Sequence, residues 1–139
     1  MNAITSTPLA NRALIAVALQ QLFEHDILDG EHYAGIVLDA DGKPSHHLIL
    51  LPGDGGGLNH AEATDWAAEA GGELPTSAEQ ALLYANLKSH FHTDDWYWSS
   101  TPYAAAPGRA WVQHFSYCCQ HNYDVSGRCR ARAVRRLPI

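Results

Sequence analysis

Histidines and carboxylates that are close together in the sequence are the first candidates for chemistry in this chain. His90 and His92 bracket Phe91, and Asp94 and Asp95 follow shortly after. Imidazole and carboxylate groups at this spacing can bind zinc. The segment follows an expected helix end, however, where alternating histidines are usually solvated, and it lacks the spacing of a metalloprotease. We therefore predict that the chain binds no metal and needs no cofactor.

The three cysteines, Cys118, Cys119 and Cys129, are the second candidates. Adjacent cysteines form only a strained disulfide and are awkward zinc ligands, and no Cys-x-x-Cys motif is present. A catalytic thiol would need a basic partner, for which His114 or His121 could serve. These residues keep a thiol- or metal-dependent enzyme as a third hypothesis, but we expect a protein that is not an enzyme.

Length and composition restrict the kind of protein. The chain has 139 residues, enough for one domain but not for two cores. Hydrophobic residues make up 46% and charged residues 17%, which excludes intrinsic disorder. The net charge of −6 argues against a nucleic-acid partner. No apolar run reaches the ~18 residues that span a membrane, and the N-terminus has neither the charged start nor the cleavage site of a signal peptide.

Hydrophobic spacing and turn residues place the elements of the first half. Residues 8–28 have helical spacing and predict an N-terminal helix. The apolar runs 33–38 and 47–51 flank a turn-rich segment and predict a β-hairpin. The glycines of residues 53–57 predict a flexible loop, and they lack the Lys-Ser/Thr sequence of a phosphate-binding loop.

The rest of the chain predicts two short helices and then strands. Asn59 is a good N-cap for a helix that ends at Gly71. Thr76 and Glu79 form a capping box, which predicts the start of a second helix. After Asp95, short aromatic segments separated by proline and glycine predict strands and turns. The order of these elements predicts an α+β fold in one domain.

Arginines and tryptophans of the second half each have two candidate roles. The last twelve residues contain five of the nine Lys and Arg residues, namely Arg128, Arg130, Arg132, Arg135 and Arg136. These could form a nucleic-acid patch. Their alternation with small residues over 128–133 is more typical of a strand, and we expect them to pair with carboxylates of the same chain. We expect Trp96, Trp98 and Trp111 to be core residues rather than a stacking platform.

Several motifs of the second half occur in the order of a known family. They are Gly72-Glu73-Leu74-Pro75-Thr76, Trp96-Tyr97-Trp98-Ser99-Ser100-Thr101, Ala110-Trp111, Phe115 and Arg130-Ala131-Arg132-Ala133-Val134-Arg135-Arg136. This series resembles a phage and bacterial family of largely unknown function with the signature LPT…E…YWSST…AW…F…RAVR. Members of that family include the C-terminal domain of a bacterial collagen-like adhesin. The resemblance covers about residues 72–137, and the first half looks like an extension found in some phage members.

The resemblance implies a single compact domain over residues 1–139 with a C-type-lectin-type fold, similar to that of formylglycine-generating enzymes. Residues 1–71 would form a helical and hairpin part, and residues 72–139 the signature part. The aromatic and arginine motifs would be scaffold, and the binding surface would lie on the C-terminal β-region. Lectin-type phage modules are often trimeric, so the resemblance is compatible with a homo-oligomer.

The expected binding surface follows Phe115, where the family often has a Gly-aromatic-Gln run that this chain lacks. Some proteins of this kind are diversified by retroelements that mutate adenines. Between Ser116 and Arg130 only Gln120 lies outside the set of residues that they produce. The alternative is a fixed surface, because most residue types belong to that set. The candidate ligand-binding residues are Ser116, Tyr117, Cys118, Cys119, His121, Asn122, Tyr123 and Asp124, joined by Tyr103 and Arg109.

Together these features predict a non-enzymatic ligand-binding module of phage or prophage origin. It would recognise a protein or a glycan, with no membrane contact, in the virion or in the host cytoplasm. Tyrosine, serine, asparagine and histidine suit such a surface because they combine contact area with adaptable hydrogen bonding. The alternative is an intracellular phage accessory protein that binds and inhibits a host enzyme or defence complex, for which an acidic chain is suited.

Overall fold

A computed structural model describes residues 12–13 and 26–139. The helix expected over residues 8–28 lies mostly outside the described residues. Of the five residues described within it, Arg12 and Ala13 are helical, whereas Ile27 and Leu28, at its expected end, are not. Within the described part of the chain, no helix is both long enough and apolar enough to cross a membrane.

The described residues form two sheets and two α-helices. The elements of the first half are β1 (His32–Leu38), β2 (Pro44–Leu50), β3 (Gly55–Leu58), α1 (His60–Glu69) and α2 (Ser77–Leu87). The elements of the second half are β4 (Trp96–Pro102), β5 (Arg109–His114), β6 (Cys119–Asp124), β7 (Cys129–Ala131) and β8 (Val134–Pro138). The small sheet has the order β1-β2-β8, and the large sheet has the order β3-β7-β4-β5-β6. The predicted α+β class is confirmed.

The β1–β2 hairpin and both capped helices lie where the sequence predicts them. The side chain of Asn59 accepts from the backbone N–H of Glu62 at 2.9 Å, and that of Thr76 accepts from Glu79 at 3.1 Å. Both glutamates return a hydrogen bond to the backbone of the capping residue. Each box therefore satisfies N–H groups that the first turn of a helix leaves free.

The two helices cover opposite faces of the large sheet, as two neighbouring residues of β4 show. Side chains alternate between the two faces along a strand. Trp98 points to the face of α1, where it is fully buried with Ala63 and Ala67 of that helix. Tyr97 points to the other face, where it packs in one cluster with Leu83 of α2 and Leu48 of the small sheet. The large sheet is thus the middle layer of the fold, and Trp98 is a core residue as predicted.

The glycine-rich segment contains a strand where the sequence predicted a flexible loop. Gly55–Leu58 forms β3 and pairs with β7. A Cβ on Gly55 would lie 2.9 Å from Cε2 of Trp66, and a Cβ on Gly56 would lie 2.7 Å from Nη1 of Arg130. These glycines let an edge strand approach two large side chains more closely than other residues would permit.

The C-terminal arginines do not share the single strand that was predicted. Arg130 lies on β7, and Arg135 and Arg136 lie on β8. Arg128 and Arg132 lie outside both strands. β7 belongs to the large sheet and β8 to the small sheet, so the chain passes from one to the other between them. The predicted pairing with carboxylates is confirmed for Arg128–Glu62 (3.5 Å), Arg130–Asp54 (3.6 Å), Arg135–Glu31 (2.7 Å) and Arg136–Glu79 (2.7 Å). Arg132 has no carboxylate partner among the described residues, and it donates to the backbone carbonyls of Leu51 and His90.

Candidate functional site

A pocket of about 450 Å³ opens on the face of the large sheet that carries α1. The helix packs mainly on β3, β7 and β4, and the pocket lies beyond it over β4, β5 and β6. The residues that line this aromatic pocket are Asp95, Trp96, Val112, His121, Asn122, Tyr123, Arg128 and Cys129. They come from four strands and two loops, so the pocket exists only once the large sheet has formed.

Strand register explains why these side chains meet. Val112 on β5 lies opposite His121 on β6, and Ala110 lies opposite Tyr123. On the other side of β5, Trp98 of β4 lies opposite Val112. Residues directly opposite each other in antiparallel strands share a face. Ala110 and Val112 have small, buried side chains, and the rings of His121 and Tyr123 lie beside them.

Aromatic rings form a continuous row across this face. The ring centroids of Trp96 and His121 are 5.4 Å apart, with the ring planes at 79°. His114 lies 4.9 Å from Trp96 on the other side, and Tyr117 stacks on His114 at 4.5 Å. Tyr123 is 43% exposed and Tyr117 is 53% exposed. His114 is buried, at 8% exposure, so the rings available for stacking and cation–π contacts are those of Trp96, Tyr117, His121 and Tyr123.

The turn after β6 holds the ring of Tyr123 in place. Asp124 accepts hydrogen bonds from the backbone N–H and the hydroxyl of Ser126, at 2.9 and 2.6 Å. Gly127 follows, and a Cβ there would lie 2.1 Å from Cε2 of Tyr123. Glycine at this position therefore gives the tyrosine ring the room that it occupies against the turn.

Charges of both signs line the aromatic pocket, but only one is paired. Arg128 donates to the carbonyl oxygen of Gly57 at 2.8 Å and lies 3.5 Å from the carboxylate of Glu62. Asp95 accepts from the backbone N–H of Trp96 at 2.7 Å. Among the described residues it has no cationic partner within ion-pair distance. The unbalanced charge of the pocket is therefore negative.

Cys129 lies at the buried side of the same pocket. It is 4% exposed. Burial raises the pKa of its thiol to about 12, and the charge of Asp95 adds to this effect. At neutral pH the group is a protonated, weakly polar wall and not a nucleophile. All three cysteines are free thiols, with Cys118 exposed and Cys119 half-buried.

The structure divides the predicted ligand-binding residues among four places. His121, Asn122 and Tyr123 line the aromatic pocket. Beside it on the same face, Cys119 lies opposite His114, and Tyr117 stacks on that histidine. Ser116 and Cys118 are exposed in the turn between β5 and β6.

The remaining predicted residues lie on the other face of the large sheet. Arg109 lies opposite Asp124, next to the pair Ala110–Tyr123 whose side chains face the pocket. Because side chains alternate along a strand, Arg109 and Asp124 point to the other face. The Nε of Arg109 donates to the side-chain oxygen of Asn122. Tyr103 packs against Trp111 with the ring centroids 5.2 Å apart. These contacts make Arg109 and Tyr103 supports of the β5–β6 hairpin rather than neighbours of the pocket.

Sequence reasoning missed five lining residues: Asp95, Trp96, Val112, Arg128 and Cys129. Trp96 was expected in the core, but it is only half-buried, as is Trp111. One signal was available: Trp96 and Trp98 share a strand face, and one core position under a short helix cannot bury two indole rings. Arg128 and Cys129 are far from Trp96 in the sequence, so their place in the pocket depends on the pairing of β7 with β4.

The histidines that suggested a metal site line a different cavity. His90 and His92 border a cavity of about 260 Å³ together with Asp54, Ser89, Phe91 and Arg132. Burial lowers the pKa of His90, and the charges of His32 and Arg132 lower it further. Within the described ranges, no group of three or more His, Cys, Asp or Glu side chains is arranged to hold a metal ion.

Comparison with known proteins adds no family to this geometry. No family model matches the chain, and no curated protein matches it significantly. The resemblance to the LPT…RAVR family and the C-type-lectin-type topology thus stay predictions made from sequence motifs.

Proposed function

We propose that this protein is a non-enzymatic binding module whose ligand surface is the aromatic pocket. The observation that carries this proposal is the placement of Trp96, His121 and Tyr123 around an opening of about 450 Å³. Concave sites with aromatic walls and a few convergent polar groups are typical of binding sites. The proposal retains the three central members of the predicted surface, His121 to Tyr123, and moves its centre towards β4.

The buried support of the pocket suits recognition by a fixed scaffold. Trp98, under the pocket, is fully buried and donates through Nε1 to the carbonyl oxygen of Leu58 at 2.8 Å. Tyr123 lies against it, with ring centroids 6.0 Å apart. An exposed ring held on a buried one loses little freedom on binding, which favours affinity. The protonated thiol of Cys129 gives the pocket no thiolate for covalent catalysis, in line with a role in binding.

The resemblance to the LPT…RAVR family suggests where the protein originates and which pocket residues vary. A phage or prophage module with a lectin-type fold would present the β5–β6 hairpin to a protein or glycan on a cell surface. Diversification of residues 116–130 would change the pocket at His121 to Tyr123, at Arg128 and at Cys129, while Trp96 and Val112 would stay constant. Variable positions would then surround a constant aromatic wall.

A second candidate is the accessory protein that binds a host enzyme inside the cell. The observation that favours it is the unpaired carboxylate of Asp95 in an acidic chain of net charge −6. Opposite charge speeds the encounter with a basic surface. A cytosolic partner would support this candidate, and a cell-surface partner would support the first one.

Two single substitutions test the proposed site. The immobilised protein, Tyr123→Ala and Leu38→Ala are compared for retention of proteins from a host lysate and of glycans from an array. Leu38 is the matched control because it is an exposed apolar residue, 56% accessible, on β1 of the small sheet. We expect Tyr123→Ala to lose about tenfold or more in affinity, as central aromatic residues of interfaces do. Equal retention by all three proteins would contradict the proposal.

A further inference from the structure

We propose that the aromatic pocket binds an organic cation, presented by a partner protein as the ammonium or guanidinium head of a basic side chain. This inference rests on the proposed function and names the chemical group that its site selects. A protein partner with an exposed lysine or arginine is the occupant to which the following observations point.

The aromatic walls have the arrangement that a cation requires. The planes of Trp96 and His121 are nearly perpendicular, 79° apart, with their centroids separated by 5.4 Å. Tyr123 adds a third ring, 43% exposed. A ring face that borders the pocket offers a cation its π system, as in the aromatic cages that bind ammonium groups.

The charge in the pocket has the sign that a cation needs. Asp95 is a lining carboxylate with no cationic partner among the residues that the structure describes. The positive charge of Arg128 is already engaged by Glu62 and by the carbonyl oxygen of Gly57. An incoming cation would therefore meet an unpaired carboxylate and an arginine whose charge is partly balanced by Glu62.

The surroundings of the pocket strengthen both the cation–π contacts and the ionic contact with Asp95. Val112 and Cys129 are 2% and 4% exposed and make one side of the pocket apolar. Cation–π and ionic contacts are stronger where water is excluded. The net charge of −6 also attracts cations over longer distances. A neutral ligand of the same shape would gain from neither charge effect.

The first measurement is a titration of the protein with choline and with 3,3-dimethylbutanol, in which an uncharged carbon replaces the ammonium nitrogen. Binding is followed by NMR through the indole N–H signals. The signal of Trp96 should shift with choline. That of Trp111 is the internal control, because Trp111 packs against Tyr103 on the other face of the large sheet. We expect choline to bind about tenfold more tightly than its uncharged analogue, within the range of desolvated cation–π contacts.

Two charge variants test whether the ligand is positively charged. Asp95→Asn keeps the side-chain oxygen that accepts from the N–H of Trp96 and removes only the charge. We expect it to weaken choline binding about fivefold or more, in keeping with a short-range charge contact at a partly exposed site. Arg128→Gln removes the opposite charge of the same pocket, and we expect it to tighten choline binding about twofold or more, because a charge that repels the ligand is removed. An unshifted Trp111 signal in both variants shows that the fold is intact.

Three results would overturn the cation proposal. These are equal binding of choline and 3,3-dimethylbutanol, no shift of Trp96 with choline, or weaker choline binding in Arg128→Gln than in Asp95→Asn. The proposed binding function is judged separately by partner retention in Tyr123→Ala. Loss of retention with no preference for choline rejects only the cation. Retention that is independent of Tyr123 rejects the pocket as the binding site.

Discussion

The carboxylate of Glu79 lies 2.7 Å from Nη2 of Arg136, although 57 positions separate the two residues in the chain. The other carboxylate oxygen lies 2.8 Å from Nε of the same arginine and 2.7 Å from Nε2 of His46. Glu79 is 1% exposed and also belongs to the capping box of α2. One buried carboxylate thus connects the first turn of α2 to β2 and β8 of the small sheet.

Glu79→Gln should destabilise the protein strongly. Glutamine can keep the capping box, but it removes the buried counter-charge of Arg136, which then keeps only the exposed Glu73 at 3.3 Å. Losing the buried partner of an ion pair costs about 3 kcal/mol. Urea unfolding followed by tryptophan fluorescence measures this loss. Glu62→Gln is the control, since Glu62 holds the same position in the capping box of α1 but is 49% exposed. Equal losses in the two variants would refute the role of the buried ion pair.

The protein should lose stability in acid, and Glu79 should account for part of the loss. Burial raises the pKa of Glu79, but the hydrogen bonds from Arg136, the backbone of Thr76 and His46 together hold it below the usual 4.5. A lowered pKa in the folded state means that the unfolded chain takes up protons first as the pH falls. The stabilisation is therefore complete above about pH 4.5 and decreases below it.

One variant tests whether Glu79 causes part of the loss of stability in acid. The free energy of unfolding is measured from neutral pH into the acid range for the natural protein and for Glu79→Gln. We expect a shallower decrease in the variant, because one carboxylate no longer titrates. The pKa of Glu31 is lowered in the same sense, chiefly by the hydrogen bond from Arg135, so some acid sensitivity should persist. An identical pH dependence would contradict the assignment.

Gly127→Ala should impair binding more than folding. The new Cβ would lie 2.1 Å from Cε2 of Tyr123, and the half-exposed ring can move away into the pocket at a cost of about 1 kcal/mol. Choline titration and urea unfolding are measured together. Gly42→Ala is the control, because Gly42 has a φ of +79° in an open turn with no atom within 4 Å. It should cost similar stability without any effect on choline; weaker binding in both variants would argue against displacement of Tyr123.

The three thiols should react in a fixed order. Cys118 is exposed, and Cys129 is buried with its pKa raised to about 12 by burial and by Asp95. We expect a thiol reagent at neutral pH to label Cys118 rapidly and Cys129 only when the protein unfolds. Mass spectrometry of labelled peptides, with and without urea, measures both rates. Rapid labelling of Cys129 in the folded state would restore thiol catalysis as a candidate.

Local signals predicted most of the framework correctly. The capping boxes at Asn59 and Thr76 and the β1–β2 hairpin depend on residues within a few positions of one another, so the sequence reveals them. The segment Gly55–Leu58 was taken for a loop because glycine has a low intrinsic strand preference. Its pairing with β7 depends on Trp66 and Arg130, and no local pattern reports such contacts.

The candidate site was predicted only in part, because the sequence reveals local patterns but not contacts between distant strands. His121, Asn122 and Tyr123 are consecutive, and the family resemblance together with their residue types suggested a binding surface. Their assembly with Trp96 and Arg128 depends on the order β7-β4-β5-β6, which includes a parallel pair between distant segments. Sequence patterns indicate which face of a strand a residue occupies, but not which strands are neighbours.

The order of the small sheet has a consequence for synthesis of the chain. β8 pairs with β2 from Leu50–Val134 to His46–Pro138, so the sheet closes only after the ribosome has released residues 134–138. Until then Leu48, Ile49 and Leu50, all fully buried in the folded protein, have no partner strand along one edge. Contacts between such distant segments form slowly, and an apolar strand with a free edge favours aggregation. The nascent chain should therefore depend on chaperones until β8 has been made.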